Sequence, residues 1–385
     1  MLTMGELERR TINGWLRLSL GAMSSVPRRI GKRGKRDVAE TERALEVWLA
    51  RRLGVGQVIV SDLSIPRAGF SNETLMLRAT WDDERGAPRT EGFVVRIEPS
   101  EHQVFLTPDV MFQARMMTEL ACHPGVPVPE VWFTEEDPEI LGARFFLMGR
   151  IDGQIPPDLP SWHERGWVTE LQPDERARLY DNALAAMGAL HQIDWRDGFE
   201  FLAWPNGAGP LAGYLGHVGR WYEWSASART IDADVIAAAF SHVMDDPPAD
   251  DVACITWGDA RVGNVIFARD LSVAAMLDWE GAALGTPGID VGWWLMFEEF
   301  LSEAKGVARL AGVPGRDATL ARYSQLTGNT LSDARYYEIL AGLVFALINS
   351  RLAELLIGRQ MIDPQRGREF VTRVTTMLAH WLEFA

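Results

Sequence analysis

The alternation of apolar and polar residues predicts a chain that begins with strands and continues as helices. Near the start, Leu45, Trp48, Leu49 and Leu53 repeat at helical spacing before Gly54, so residues 41–53 are expected to form an amphipathic helix. Short apolar runs bounded by turn residues then predict strands. These lie on either side of a turn within residues 58–80, and at residues 92–99, 131–133 and 144–148.

The remainder of the chain, from about residue 152, carries apolar residues at helical spacing. A long helix is predicted at residues 173–192, where Leu179, Leu184, Met187 and Leu190 form one stripe. Further helices are predicted at residues 316–326, 332–358 and 364–384. The sequence contains no repeats and no low-complexity segment.

Composition places the chain among globular proteins. Of its 385 residues, 47% are hydrophobic and 24% are charged, and the length suits two lobes. A net charge of −15 argues against a nucleic-acid partner. Cys122 and Cys254 lie in unrelated segments and fit a reducing cytosol. The longest uninterrupted apolar run, residues 339–348, is too short to span a membrane, and the first residues lack a secretory leader. We therefore expect a cytoplasmic protein with no integral membrane segment.

The first 36 residues differ in charge from everything that follows. They carry nine Arg or Lys residues against two Glu, a local charge of +7 in an otherwise acidic chain. Such a segment could contact an anionic partner, a membrane surface or another subunit, or it could be a solvated extension, and the sequence favours the extension. Lysine is scarce in the whole sequence, where only Lys32, Lys35 and Lys305 occur. Cationic sites must therefore rely on arginine.

Candidate chemistry is concentrated in residues 255–290. Apolar runs at residues 264–267 and 273–277 predict a hairpin, with Asp259 and Asn264 around the loop before it and Asp278 at its exit. Mg²⁺ prefers oxygen ligands, and the Asp278 carboxylate with the Asn264 carbonyl suits an ion whose remaining ligands are nucleotide phosphates and waters. Asp259 is then available to accept a proton, and Arg261 to place a cation against the moving phosphate. The set predicts phosphoryl transfer to a hydroxyl.

These residues also carry a family resemblance. The pattern G-D-x-R-x-G-N from Gly258 to Asn264, followed by L-D-W-E at residues 277–280, resembles the aminoglycoside phosphotransferase family, which includes choline-kinase-like enzymes. The resemblance implies an α+β, two-lobed protein-kinase-like fold. Its small N-lobe would combine an antiparallel β-sheet with a helix, and its larger C-lobe would be mainly helical. It also implies that Asp259 is the catalytic Asp and that Asn264 and Asp278 bind the metal.

Three further residues bear on the same stretch of chain. Trp257 stands where the family usually has His. Asp290 corresponds to a residue that braces the catalytic loop and caps its own helix. His191, at the end of a long predicted helix, is expected to be a packed histidine rather than a catalyst.

The resemblance further implies a nucleotide site. A turn between the first two strands would cover the phosphates, and Arg96 would take the place of the family's phosphate-gripping Lys. Gln113 falls where the family has the Glu that pairs with this cation, and Glu119 is an alternative partner. The residues that resemble the phosphate-covering turn are Gly69, Ser71 and Asn72. Around the hinge between lobes, adenine would meet Met148, Gly149 and Ile151.

Together these observations predict a small-molecule kinase that uses Mg²⁺ and ATP or GTP. Residues 1–36 would form a basic extension, 37–150 the nucleotide-binding N-lobe and 151–385 the C-lobe with the catalytic loop and acceptor site. The acceptor stays open among aminoglycosides, choline-like alcohols, sugars, macrolides and hydroxyacyl-CoA thioesters. The aromatic residues Trp221, Tyr222 and Trp224 would either line its pocket or pack in the core.

A different class of protein is a nucleotide-binding pseudokinase that acts as a scaffold. Gln113 and Trp257 favour it, whereas the complete set of Asp259, Asn264 and Asp278 argues against it. Homodimerisation is left open.

Overall fold

The structure is a computed structural model, and it describes residues 37–65, 73–99, 104–249, 252–331 and 333–384. The basic segment 1–36 and the predicted phosphate-covering residues Gly69, Ser71 and Asn72 lie outside the described residues.

The described chain contains ten α-helices and nine β-strands. The helices are α1 (Val38–Leu53), α2 (Val110–Leu120), α3 (Trp167–Glu170), α4 (Pro173–His191), α5 (Pro210–Trp224), α6 (Ala233–Asp245), α7 (Pro287–Leu301), α8 (Arg316–Thr327), α9 (Ala334–Gly358) and α10 (Pro364–Leu382). The strands are β1 (Ile59–Ser64), β2 (Glu73–Asp82), β3 (Pro88–Ile97), β4 (Val131–Glu135), β5 (Phe145–Gly149), β6 (Cys254–Thr256), β7 (Val265–Phe267), β8 (Val273–Met276) and β9 (Ala283–Gly285). This is the predicted α+β fold, an antiparallel N-terminal sheet followed by a helical region.

The chain divides into two compact units. Among the described residues, the first unit takes in 37–65 and 74–92, and the second takes in residue 73 and everything from 93 onward. Strand β3 contributes residues to both units. The predicted lobe boundary after residue 150 stays a prediction.

The first unit is built on helix α1. Asp37 caps its start by accepting a hydrogen bond from the backbone N–H of Glu40, and Gly54 ends it in the left-handed region. The helix begins three residues before the predicted start. Its buried face carries the apolar stripe that predicted it, including Leu45, Trp48 and Leu49. In this unit β1 pairs antiparallel with β2, which neighbours the first half of β3.

The sheet of the second unit positions one candidate residue. The second half of β3 pairs antiparallel with β5, and Arg96 lies opposite Phe146 in this register. Strand β4 pairs with the other edge of β5. Because side chains alternate along a strand, Arg96 projects from the face opposite to the fully buried Val95 and Ile97.

The long helix α9 differs from the prediction that no segment is long and apolar enough to span a membrane. It is long and apolar enough to cross a membrane by length and composition alone. The expectation that no segment reaches that size considered only the uninterrupted apolar run at residues 339–348. However, 67% of its most apolar window is buried inside the protein, and the helix packs against α7 and α10. This burial is typical of a core helix in a globular protein, and a cytoplasmic location stays a prediction.

Candidate active site

The predicted hairpin is present and holds the candidate residues close to one another. Strands β7 and β8 pair antiparallel, with Val265 opposite Met276. Just beyond this pair, the backbone N–H of Leu277 donates to the backbone carbonyl of Asn264 at 2.9 Å. This bond joins the start of the hairpin to its exit. Asp278 is therefore the residue directly after the one that pairs with Asn264.

A buried carboxylate fixes the loop that precedes the hairpin. Asp290 is fully buried and accepts hydrogen bonds from the backbone N–H groups of Trp257 at 2.6 Å and Gly258 at 2.8 Å. It also contacts Nε2 of the buried His191 at 2.9 Å, whose Nδ1 lies 2.7 Å from the Tyr323 hydroxyl. The prediction that Asp290 braces the loop agrees with this geometry. The prediction that it caps its helix is wrong, because α7 begins at Pro287 and Thr286 is its N-cap.

The side chain of Trp257 has a structural place. It is fully buried and donates from Nε1 to the backbone carbonyl of Leu277 at 2.6 Å. This tryptophan therefore links the loop before Asp259 to the residue before Asp278. Gly258 follows it with a φ of 86°, and a Cβ at this position would lie 2.0 Å from the backbone oxygen of Gly281. Only glycine fits both the left-handed backbone and this close approach.

Asp259 is surrounded by donors. Its Oδ1 accepts hydrogen bonds from Arg261 Nε at 2.9 Å and from the indole N–H of Trp293 at 2.7 Å. Its Oδ2 accepts from Asn264 Nδ2 at 2.6 Å and from Arg261 Nη2 at 3.2 Å. The side chain nevertheless stays 25% exposed, so the carboxylate is held in one orientation while solvent can still reach it.

Arg261 is engaged on two sides. Its Nη1 pairs with Asp158, its Nε with Asp259, and its guanidinium lies 4.9 Å from the ring centroid of Phe297. Burial alone would lower the pKa of Arg261, but the charges of Asp158 and Asp259 outweigh it and raise the pKa above its ordinary value. The guanidinium is therefore permanently charged and braces the Asp259 carboxylate. That it also faces the transferred phosphate stays a prediction.

Asn264 and Asp278 present oxygen atoms that suit a hard cation. The buried amide of Asn264 directs Nδ2 to both the backbone and the side-chain oxygen of Asp259, which leaves its carbonyl oxygen for another partner. Asp278 adopts a left-handed backbone with a φ of 56° and keeps a side chain that is 35% exposed. No cluster of three or more His, Cys, Asp or Glu side chains placed to hold a metal occurs in the described part of the chain. An Asn–Asp pair fits Mg²⁺ that arrives with a nucleotide better than a permanently bound ion.

Arg96 pairs directly with one of these candidate metal ligands. Its Nη2 donates to Oδ1 of Asp278 at 2.9 Å and lies 3.5 Å from Oε1 of the buried Gln113 on α2. Gln113 therefore occupies the expected position but makes a long contact. Glu119, the alternative partner, lies two turns further along α2, where its carboxylate approaches Gly198.

The predicted hinge residues lie at and just after the end of β5. Met148, Gly149 and Ile151 are all partly exposed. The N–H of Gly149 already donates to the backbone carbonyl of Glu130 at 2.9 Å, so it is not available to adenine. Nucleotide binding by these residues stays a prediction.

Sequence reasoning missed two residues that the structure brings to Asp259. Asp158 lies in a Pro-rich loop without a periodic pattern, and nothing in the sequence marks it as a partner of Arg261. Trp293 had a usable signal, because it follows Asp290 by three residues and so shares its face of a helix. Conversely, Trp221 is buried, Tyr222 stacks on Phe240 and Trp224 lies under Arg351, so these aromatic residues are used in packing.

Comparison with known sequences identifies the family to which this chain belongs. The sequence model of the phosphotransferase enzyme family matches residues 62–326. Among curated relatives, acyl-CoA dehydrogenase family member 11 of Homo sapiens is 24% identical over 319 residues, which cover 77% of this chain and 38% of that protein. The protein of the same name in Gallus gallus is 31% identical over 174 residues, or 45% of this chain and 21% of the relative. The chain thus spans less than two fifths of the length of these relatives.

Comparison with solved structures gives the fold. A Ralstonia eutropha protein assigned as an aminoglycoside phosphotransferase has a TM-score of 0.63 at 20% identity, covering 88% of this chain and 98% of that one. The complex of aminoglycoside phosphotransferase APH(4)-Ia with ADP and hygromycin B has a TM-score of 0.52 at 17% identity, covering 86% and 98%. The GDP and kanamycin complex of APH(2")-IIia has a TM-score of 0.52 at 12% identity, covering 84% and 93%. The fold is therefore the kinase-like fold of these enzymes. With the family match extending over most of its length, the chain belongs to the phosphotransferase enzyme family.

Proposed function

We propose that this chain is a small-molecule kinase that transfers the γ-phosphate of ATP or GTP to a hydroxyl group of a small acceptor. The observation that carries this proposal is the joint placement of Asp259, Asn264 and Asp278 around one hairpin, with Arg96 on Asp278. Phosphoryl transfer needs positioning and charge stabilisation more than covalent chemistry, and this set supplies both.

In this proposal Asp259 orients the acceptor hydroxyl and receives its proton. Its carboxylate is held by Trp293, Asn264 and Arg261, so its direction does not depend on the substrate. A carboxylate fixed in this way lowers the entropy that must be lost when the hydroxyl is aligned with the phosphate. Asp158, which pairs with Arg261, is a positioning residue for the same carboxylate.

The proposed nucleotide site consists of Arg96, Asn264 and Asp278, with the hinge residues and the phosphate-covering turn as further predictions. Mg²⁺ bound by Asn264 and Asp278 would neutralise charge on the nucleotide phosphates. In this proposal Arg96 binds a phosphate oxygen, and its contact with Asp278 supports a position beside the metal ligands. The ADP and GDP complexes among similar structures support a nucleotide co-substrate without deciding between ATP and GTP.

A second acceptor class has a specific observation in its favour. The curated relatives carry the name acyl-CoA dehydrogenase, whereas the structural neighbours bind hygromycin B and kanamycin. We therefore retain a hydroxyacyl-CoA as an alternative to an antibiotic acceptor.

The test is a mass-spectrometric screen for phosphorylated product. Purified protein is incubated with Mg²⁺ and ATP or GTP and a panel of aminoglycosides, macrolides, choline-like alcohols and hydroxyacyl-CoA thioesters. We expect one acceptor class to gain the mass of a phosphate with wild-type protein and not with Asp259→Asn. Magnesium-dependent nucleotide binding without transfer to any member of the panel would instead favour the pseudokinase scaffold.

A further inference from the structure

The ion pair of Arg96 and Asp278 occupies the carboxylate that is proposed to bind the metal. Nη2 of Arg96 lies 2.9 Å from Oδ1 of Asp278, and both residues belong to the second compact unit. The Arg96 side chain is only 15% exposed, so solvent and salt screen this pair less than they would an ion pair on the open surface. A divalent cation on the same carboxylate would therefore be repelled by the neighbouring guanidinium.

The backbone on each side of this ion pair is fixed by its own contacts. Arg96 lies on β3 between two residues that are buried in the core. Asp278 directly follows Leu277, whose N–H is bonded to the backbone carbonyl of Asn264. The ion pair can therefore open by rotation of side chains, without movement of either strand or turn.

The two proposed metal ligands carry one negative charge between them, and that charge is already paired. Asp278 supplies the charge and Arg96 balances it. Asn264 is neutral and contributes only its carbonyl oxygen, because its amide nitrogen is bonded to Asp259. A nucleotide changes this balance, since its phosphates bring negative charge and are strong acceptors for a guanidinium.

The residue near Arg96 on α2 favours the pairing with Asp278. Gln113 is buried, and its Oε1 lies 3.5 Å from Nη2 of Arg96. A neutral amide is a weaker acceptor for a guanidinium than a carboxylate is, and Asp278 supplies a carboxylate at 2.9 Å. The neutral side chain of Gln113 thus favours the arrangement in which Arg96 covers Asp278, which we call the closed state.

We propose that Arg96 holds Asp278 in this closed state until phosphate oxygens bind the guanidinium, so that a divalent cation enters the site together with a phosphate chain and not before it. The proposal rests on the function proposed above, because it takes Asp278 as a metal ligand and Arg96 as a phosphate ligand. It adds how binding at that site is controlled. Phosphate replaces one charged partner of Arg96 with another and leaves Asp278 available, so each of the two ligands raises the affinity for the other.

The first experiment measures metal binding without any nucleotide. Mn²⁺ replaces Mg²⁺ as the probe because it prefers the same oxygen ligands, and its binding is read from the relaxation rate of water protons. Arg96→Met should bind Mn²⁺ at least about tenfold more tightly than wild type, since the competing cation is removed. The control is Arg359→Met, which removes an exposed cation after the end of α9 and should leave the affinity unchanged. Equal affinities of Arg96→Met and wild type would overturn the proposal.

A double variant locates the metal that binds in Arg96→Met. Adding Asp278→Asn to Arg96→Met removes the carboxylate that the guanidinium covered, so the Mn²⁺ affinity should return to the wild-type level or fall below it. A gain that persists in the double variant would mean that the extra ion binds elsewhere, and this result would contradict the closed state.

The second experiment measures nucleotide binding without any metal, and its main variant keeps Arg96. ADP is titrated by calorimetry in the presence of a chelator. Asp278→Asn should bind ADP at least about threefold more tightly than wild type, because Arg96 no longer has to leave a carboxylate in order to reach phosphate. Asp317→Asn, which removes an exposed carboxylate on α8, should leave the affinity unchanged. The absence of any gain in Asp278→Asn would refute the closed state even if Arg96→Met did not fold.

A comparison of backgrounds separates the closed state from simple electrostatics. Removal of a negative charge beside the phosphates raises ADP affinity by itself, and that effect does not require Arg96. The effect of Asp278→Asn is therefore measured again in the Arg96→Met background, where we expect the gain to fall below about 1.5-fold. An equal gain in both backgrounds would count against the proposal.

Failure of this inference can be told apart from failure of the proposed function, because neither experiment uses turnover. Phosphorylated product in the screen, with equal Mn²⁺ affinities of wild type and Arg96→Met, would keep the kinase and remove the closed state. No product from any acceptor, with the expected gains in both binding experiments, would keep the closed state in a nucleotide-binding scaffold.

Discussion

Asn264 donates a hydrogen bond of 2.6 Å from its amide nitrogen to a carboxylate oxygen of Asp259. The residue proposed to bind metal through its carbonyl therefore also orients the proposed base through its nitrogen. One planar amide fixes the relative direction of two functions, so a rotation of Asn264 would disturb both the cation and the acceptor hydroxyl.

The first prediction concerns Asp259 itself. Asp259→Asn should lower kcat at least about 100-fold, the size expected when a general base is lost, while nucleotide affinity stays within about twofold. Isothermal calorimetry and a coupled assay with the acceptor from the screen measure the two quantities. The matched control is Asp317→Asn, which alters a carboxylate that is 98% exposed on α8 and should keep full activity. Unchanged turnover in Asp259→Asn would remove this residue from the mechanism.

The second prediction tests the metal assignment. Wild-type protein should bind nucleotide more tightly with Mg²⁺ than with a chelator, and Asp278→Ala should lose most of that difference. Arg96→Ala should instead weaken binding both with and without Mg²⁺, because the guanidinium acts on phosphate directly. The same dependence on Mg²⁺ in wild type and Asp278→Ala would rule out Asp278 as a ligand.

The third prediction follows from the long contact of Gln113. Because Arg96 finds its carboxylate at Asp278, Gln113→Ala should change nucleotide affinity by less than about threefold, whereas Arg96→Ala should reduce it at least about tenfold. Fluorescent nucleotide titration compares the two variants. A large loss in Gln113→Ala would show that the neutral amide positions Arg96 despite the separation of 3.5 Å.

The fourth prediction concerns Trp293. Trp293→Phe keeps most of the buried ring but removes the N–H that donates to Asp259, and we expect kcat to fall about tenfold with little change in nucleotide affinity. Trp294→Phe is the matched control, since its neighbouring indole is equally buried and its Nε1 has no hydrogen-bond partner in the described structure. Equal effects of the two substitutions on kcat would mean that only packing matters at Trp293.

The fifth prediction is about stability. Asp290→Ala leaves the buried backbone N–H groups of Trp257 and Gly258 without their acceptor and removes the carboxylate that contacts His191. The free energy of unfolding should therefore drop by about 3 kcal/mol or more. Urea denaturation measures this loss. Asp317→Ala, at an exposed position, should change it by less than about 0.5 kcal/mol. Similar values for both variants would contradict the bracing role.

The sequence predicted those elements whose formation depends on residues that are close together in the chain. Helical spacing located α1 and α4, and the two short apolar runs located the β7–β8 hairpin, because these elements depend on neighbours in the chain. Pairing across long distances could not be obtained in this way. The ion pair of Arg96 with Asp278 joins residues 182 positions apart, and no periodicity relates them.

The environment of the proposed base shows the same limit. The motif from Gly258 to Asn264 identified Asp259, but its orientation depends on Trp293 and, through Arg261, on Asp158. Asp158 lies more than 100 residues earlier, in an irregular loop. Such a contact arises from tertiary packing, and a single sequence carries no pattern that specifies it.

The close approach of Gly258 to the backbone of Gly281 limits which substitutions the chain can accept. With 2.0 Å between a hypothetical Cβ and the opposing carbonyl oxygen, no side chain of any size can be inserted where the two loops meet. Saturation mutagenesis at residue 258, selected for folded protein, should return glycine alone. The spacing between the loop that carries Asp259 and the turn that follows Asp278 is thus set by bare backbone. Under the proposed function, a change of acceptor would have to come from substitutions elsewhere, such as on α7 or in the loop around Asp158, whose residues Trp293 and Asp158 contact Asp259 and Arg261.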